Sequence, residues 1–185
     1  MGFIRNIQLF YFSKPVEDRI IYRTLKELNA HRILEIAIHK GVRSQKMIEL
    51  ATELCGEPEK VHFYGIDPFE GRTPADGPGI SLRKAHHLLK ATGAQIRLTP
   101  GEPCMALMRS ANSMKDIDLV IIDTPKLAWF ETGCKYLPRI LAENARILVG
   151  KRRSAKSPPE YKILTPDQIT KLVERSDKKN RRKAA

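Results

Sequence analysis

Arg32-Ile-Leu-Glu-Ile-Ala-Ile-His-Lys-Gly41-Val-Arg-Ser-Gln-Lys-Met-Ile-Glu-Leu-Ala-Thr-Glu-Leu54 reads as a strand, a tight turn and a helix. Ile33, Leu34, Ile36 and Ile38 form an apolar run long enough for a strand covered on both faces. Beyond Gly41, the residues Met47, Leu50, Ala51 and Leu54 recur at helical spacing, and Gly56 followed by Pro58 stops the helix. A buried strand that runs straight into a helix start offers a ligand two things. One is a set of unpaired N–H groups; the other is the positive end of the helix dipole. The turn from Glu35 to Gly41 decides whether such a ligand fits.

Working outward, the same alternation repeats. Pro15 is placed to open a helix whose stripe is Ile21, Leu25 and Leu28, with Asn29 as its C-cap. Val61 to Ile66 is a second strand, ending in Gly65-Ile-Asp67-Pro-Phe. Residues 70–79 are dense in Gly and Pro and form a loop. Ser81 caps a helix carrying Leu82, Ala85 and Leu89, which Gly93 terminates. Ile96 and Leu98 mark a third strand, and Gly101-Glu102-Pro103 turns it into a helix with Met105, Leu107 and Met108. Ile117 to Ile122, the most apolar strand, delivers Asp123. A helix is expected over 127–141, interrupted at Pro138, then a fifth strand over 145–149 and a basic linker over 151–159. Tyr161 to Leu164 suits an edge strand. Thr165-Pro-Asp-Gln168 forms a capping box for a last helix with Ile169, Leu172 and Val173 inward. No internal repeat is present.

Five β-α alternations with apolar strands predict an α/β fold: a doubly wound, mostly parallel sheet with helices on both faces. Ligands in that architecture bind beyond the carboxyl ends of the strands. The residues there are Ala37 to Gly41, Asp67, Thr99 to Glu102, and Asp123. Asp67 lies 26 residues after Gly41, where a carboxylate can accept both hydroxyls of a ribose diol.

Composition sets the frame. The 185 residues suffice for one domain with a substantial core; the expectation is a single domain over 1–175 and a basic, disordered tail over 176–185. No stretch reaches the eighteen apolar residues of a membrane helix, and the start, broken by Arg5 and Asn6, reads as mature sequence rather than a signal peptide. Three widely spaced cysteines, Cys55, Cys104 and Cys134, suggest reduced thiols and a cytoplasmic protein. The net charge of +12 is uneven: from Gly150 onward there are twelve Lys and Arg against four Asp and Glu. That excess favours nucleic acid or an acidic partner electrostatically; a solvated, partly disordered tail is the simpler reading and the one preferred.

Taken together, these motifs resemble those of class I S-adenosylmethionine-dependent methyltransferases over roughly residues 15–150. Glu35-x-Ala37-x-His39-x-Gly41 is similar to that family's E-x-G-x-G-x-G turn, departing from it at Ala37 and His39. Gly-Ile-Asp67-Pro68-Phe resembles the second motif, Gly101-Glu102 the Gly-Asp that touches the adenine amino group, and Asp118-Leu-Val-Ile-Ile-Asp123 the fourth motif. The resemblance implies a Rossmann-like three-layer α/β/α fold and S-adenosylmethionine as cofactor. It implies a cofactor site of Glu35, Ala37, His39, Gly41, Asp67, Pro68, Gly101, Glu102 and Asp123. Family members finish with a sixth and a seventh strand, the last antiparallel; this chain has room for one short strand and a helix, so the C-terminal strand pair is incomplete.

Asp123-Thr-Pro-Lys126 is similar to the Asp-x-x-Lys of metal-dependent O-methyltransferases. Magnesium needs several hard oxygen ligands, and the family's second ligand pair is replaced here by Gly150-Lys-Arg-Arg, so no metal is expected. Methyl transfer rests on positioning, so the lack of an obvious catalytic triad leaves that reading intact, with the catalytic residues and the acceptor, small molecule or macromolecule, unidentified. The competing reading is a non-catalytic protein of the same fold that docks nucleic acid or a protein partner through its basic tail. A third, weaker reading, a dinucleotide oxidoreductase, is disfavoured by the missing G-x-G-x-x-G and by the lack of a Tyr-x-x-x-Lys pair after the fourth strand.

Overall fold

A computed structural model describes residues 13–123, 134–151 and 157–184, with side chains through 175 except Cys134. The apolar stretch 3–12, Lys126, the start of the helix expected over 127–141, and the centre of the basic linker lie outside the described residues. So do the side chains of 176–185, on which the nucleic-acid expectation rests.

Among the described residues the strands are β1 (Arg32–Ile36), β2 (His62–Asp67), β3 (Gln95–Pro100), β4 (Ile117–Ile122), β5 (Leu141–Lys151) and β6 (Glu160–Leu164). The α-helices are α1 (Arg19–Leu28), α2 (Val42–Cys55), α3 (Leu82–Lys90), α4 (Pro103–Ser110) and α5 (Pro166–Ala184). The strands lie in the order β3-β2-β1-β4-β5-β6. All neighbours are parallel except β5 and β6. The expected Rossmann-like sheet is present, and its C-terminal end is one antiparallel strand paired directly with β5.

Because side chains alternate across a strand, β1 feeds two cores. Ile33 packs with Ile21, Leu25, Met47, Ile48 and Phe63 on the α1–α2–α3 face. Leu34 and Ile36 pack with Ile66, Leu107, Val120 and Ile169 on the α4–α5 face. Asp118 locks the entrance of β1 to β4, accepting from the N–H groups of His31 (2.9 Å) and Arg32 (2.8 Å).

The caps behave as their residue types require. Asn29 ends α1 in the left-handed conformation, Ser81 accepts from Lys84 N–H at 3.3 Å, and Thr165 and Gln168 exchange the two bonds of a capping box. Four expectations shift. Pro15 precedes a 3₁₀ turn, and the α-helix itself begins at Arg19. The 70–79 loop contains a short turn over Pro74–Asp76. A turn around Pro138 ends the segment before β5, which starts at Leu141 rather than 145; proline cannot carry a helix through that point. The last helix continues to Ala184 where a disordered tail was expected, in keeping with the helix propensity of Lys, Arg and Ala.

One glycine is dictated by packing. A Cβ on Gly65, mid-strand in β2, would stand 2.4 Å from Ile38 Cδ1 and 2.7 Å from Leu98 Cδ2. Ile38 leaves the end of β1 and folds back over β2, and only glycine leaves it room. Gly65→Ala is expected to lower stability by about 1–3 kcal/mol through overpacking; an unchanged urea midpoint would contradict this.

Candidate functional site

The strand order reverses direction between β1 and β4, which makes the crevice outside their carboxyl ends the switch point of the sheet. Ala37 to Gly41 forms one side of that crevice and Asp123 the other. The turn takes left-handed backbone at Ala37 (φ 73°), His39 (φ 56°) and Gly41 (φ 78°). At Ala37 and His39 an L side chain occupies conformations that glycine adopts freely, at about 1–3 kcal/mol each. Such strain persists where the surroundings over-determine the backbone. Here Ala37 N–H is held by Ile66 O (2.8 Å), His39 N–H by Asp67 Oδ2 (3.2 Å) and Gly41 N–H by Ile38 O (3.1 Å).

Behind the turn sits a buried charge cluster centred on Arg43, in the first turn of α2. Its Nε donates to Glu35 Oε1 at 2.8 Å, and Nη2 lies 2.7 Å from the same carboxylate. Nη1 donates to Asp123 Oδ2 and to Tyr161 Oη, both at 2.8 Å, and stands 3.6 Å from Asp18 Oδ1. Ser44 Oγ donates to the other oxygen of Glu35. Burial would lower the guanidinium's pKa, but Glu35, Tyr161, Asp123 and Asp18 together hold it well above its ordinary value. The cation is therefore permanent. Gly150 keeps this corner open: a Cβ there would press on Pro159, Tyr161 and Asp123.

A second centre forms at the mouth of β2. Asp67 is fully buried, and its carboxylate accepts four N–H groups. Oδ1 takes Phe69 N–H and Arg72 Nε, each at 2.8 Å; Oδ2 takes Arg72 Nη2 and His39 N–H. His39 joins the two centres. Its Nε2 lies 3.0 Å from the carbonyl oxygen of Asp123, which can only accept, so Nε2 carries the proton and Nδ1 turns its lone pair to Arg72 Nη1, 3.4 Å away. Burial lowers the imidazole's pKa from its usual value, outweighing the pull of Asp123.

A cavity of about 480 Å³ opens over the turn and the start of α2, within the size range of small-molecule sites. It is lined by Ile38, His39 and Gly41 of the turn, by Asp18 and Tyr22 around the start of α1, and by Arg43 and Asp123. Of the candidate residues, His39, Gly41 and Asp123 line it. Glu35 and Ala37 lie beneath it, each bonded to Arg43. Asp67, Pro68, Gly101 and Glu102 are outside its walls. Glu102 instead caps α4, its Oε2 accepting from Cys104 N–H (3.0 Å) and Met105 N–H (3.2 Å). Arg43, Arg72, Tyr161 and Asp18 were not singled out from sequence. Among the described residues, no group of three or more His, Cys, Asp or Glu could hold a metal ion.

No protein-family model matches the chain, and no curated protein matches it. Solved structures do. The O-methyltransferase TomG from Streptomyces achromogenes, crystallised with S-adenosylmethionine, superposes with a TM-score of 0.56 at 13% identity over 94% of this chain and 76% of that one. An O-methyltransferase from Bacillus cereus, crystallised with S-adenosylhomocysteine, gives 0.55 at 13% identity, over 94% and 73%. At such identities the likeness establishes the shared fold.

Two predictions follow from the cluster. Arg43→Met strands the buried Glu35 carboxylate and is expected to cost about 3–5 kcal/mol in urea denaturation; adding Glu35→Gln recovers much of that loss, and additive losses would refute the pairing. The pH effect of His39 has a definite sign. The unfolded imidazole takes up its proton near pH 6.5 and the folded one only at lower pH, so the group's stabilisation is complete above that value and lost as pH falls below it. Melting curves from pH 7 to 5 should therefore fall more steeply for the wild type than for His39→Gln; parallel curves would contradict this.

Proposed function

We propose that this chain is a metal-independent S-adenosylmethionine-dependent methyltransferase acting on a small-molecule acceptor. The observation that carries the reading is the strained turn at Ala37 and His39, held over a cavity at the sheet's switch point. Non-glycine residues kept in left-handed backbone mark ligand clamps and active sites more than loops of no consequence. The O-methyltransferases of the same fold, one crystallised with the cofactor and one with its demethylated product, support it.

The residues present suit that cofactor in kind. The start of α2 lines the cavity at Gly41, Val42 and Arg43, and a carboxylate is favoured near a helix N-terminus. Asp123 and Asp18 offer carboxylates to cationic groups, and Asp67, at the end of β2, is the carboxylate we assign to a ribose diol. When bound, the cofactor supplies an electrophilic methyl group on sulfur. The chain's part is positioning: the turn and the start of α2 line the cavity, Arg43 fixes the Asp123 carboxylate, and Asp18 and Tyr22 add a wall around the start of α1. Asp18, raised in pKa by burial, with Asp123 and Glu17 adding to the rise and Arg43 opposing it, is the group best placed in that wall to take a proton from an acceptor. A cavity of about 480 Å³ is of a size that suits a small acceptor.

Calorimetric titration with S-adenosylmethionine or S-adenosylhomocysteine is expected to show micromolar binding. Val42, 53% exposed at the cavity mouth, offers a control: Val42→Trp should weaken binding about tenfold or more, some 1.4 kcal/mol, without lowering the melting temperature. No heat of binding with either ligand would overturn the reading.

A further inference from the structure

Asp67 has the place of a ribose acceptor, yet its four lone-pair directions are taken: two by backbone N–H groups and two by the parallel donors of Arg72. Arg72 belongs to neither sheet nor α-helix. It rises from the Gly- and Pro-rich segment between β2 and α3, and its side chain is 7% exposed. The segment is built around it. Nη1 donates to the carbonyl oxygens of Asp76 (2.5 Å) and Gly77 (3.5 Å). A Cβ on Gly79 would lie 2.3 Å from Arg72 Cδ and 2.5 Å from Nε, so glycine there makes the groove for the guanidinium.

A guanidinium and a vicinal diol present a carboxylate with the same thing: two adjacent donors. Buried Phe69 anchors one end of the segment and Ile80 packs at the other, whereas Thr73, Pro74, Ala75 and Gly77 to Gly79 are exposed. Arg72 is thus held by polar contacts that a ligand and water can replace.

We propose that Arg72 stands in for the ribose diol on Asp67, so that a nucleoside enters this site by exchanging its two hydroxyls for the guanidinium. Arg72 thereby decides which ligands are admitted: those with an intact 2′,3′-diol displace it, and those without one do not. The inference rests on the cofactor reading above and adds to it a selecting residue. A ligand that must first vacate its own seat binds with its intrinsic affinity reduced by the fraction of sites already vacated.

The test has two arms. In titrations, Arg72→Ala is expected to bind S-adenosylhomocysteine and adenosine about tenfold more tightly than the wild type. For 2′,3′-dideoxyadenosine the gain should be much smaller, and in an Asp67→Asn background it should disappear. The second arm needs no variant to fold. In the wild type, the ¹⁵N–¹H resonance of Arg72 Nε should move away from its carboxylate-bonded position on saturation with S-adenosylhomocysteine. If the ligand binds while that resonance stays fixed, or the gain is equal for the dideoxy analogue, the exchange is refuted and the cofactor reading stands. If neither wild type nor Arg72→Ala binds, both fail.

Discussion

Arg43 is the constraint on which the corner of this molecule depends. One guanidinium joins Glu35 of β1, Asp123 at the end of β4, Tyr161 of β6 and Asp18 before α1. A cation in the first turn of a helix is disfavoured by the dipole, and an isolated buried charge is costly. Both penalties are met by carboxylates that are themselves too buried to stand alone. The cluster is a mutual solution, which is why removing one member should cost more than any single contact is worth.

That cluster bears directly on the turn above it. With Glu35 and Asp123 pinned and Ala37 O within reach of Arg43 Nη2, the backbone from 37 to 41 is held from below, while Asp67 holds His39 N–H from the side. Left-handed backbone at an alanine and a histidine is maintained by these bonds. Fold and site are therefore one argument: the same polar contacts that close the sheet's mouth shape the floor of the cavity.

Much of this was legible in the sequence. The apolar runs gave the strands, Gly56, Asn29, Ser81 and the Thr165–Gln168 box gave the caps, and the alternation gave the doubly wound sheet. Asp67 and Asp123 were placed correctly at strand ends because strands deliver their last residue to the mouth of the sheet. What sequence could not show was who would reach those carboxylates. Arg72 lies in a loop without periodicity, five residues from Asp67, and no pattern predicts that its side chain turns back. Arg43 did carry a signal, a cation against the dipole at a helix start. Glu102 illustrates the opposite case: an acid at a helix start satisfied its own helix. Leu141, expected at the end of a helix, instead opens β5: it pairs with Ile117 of β4, and a register shift precedes the next pair, Leu119 with Arg146.

The central claim is that a nucleoside-bearing ligand sits at the switch point between β1 and β4. The most direct measurement is an amide ¹H–¹⁵N map of the wild type with and without S-adenosylhomocysteine. The account predicts that the largest shifts fall on Ala37 to Arg43 and on Asp123; shifts confined to other elements, with those resonances unmoved, would contradict it.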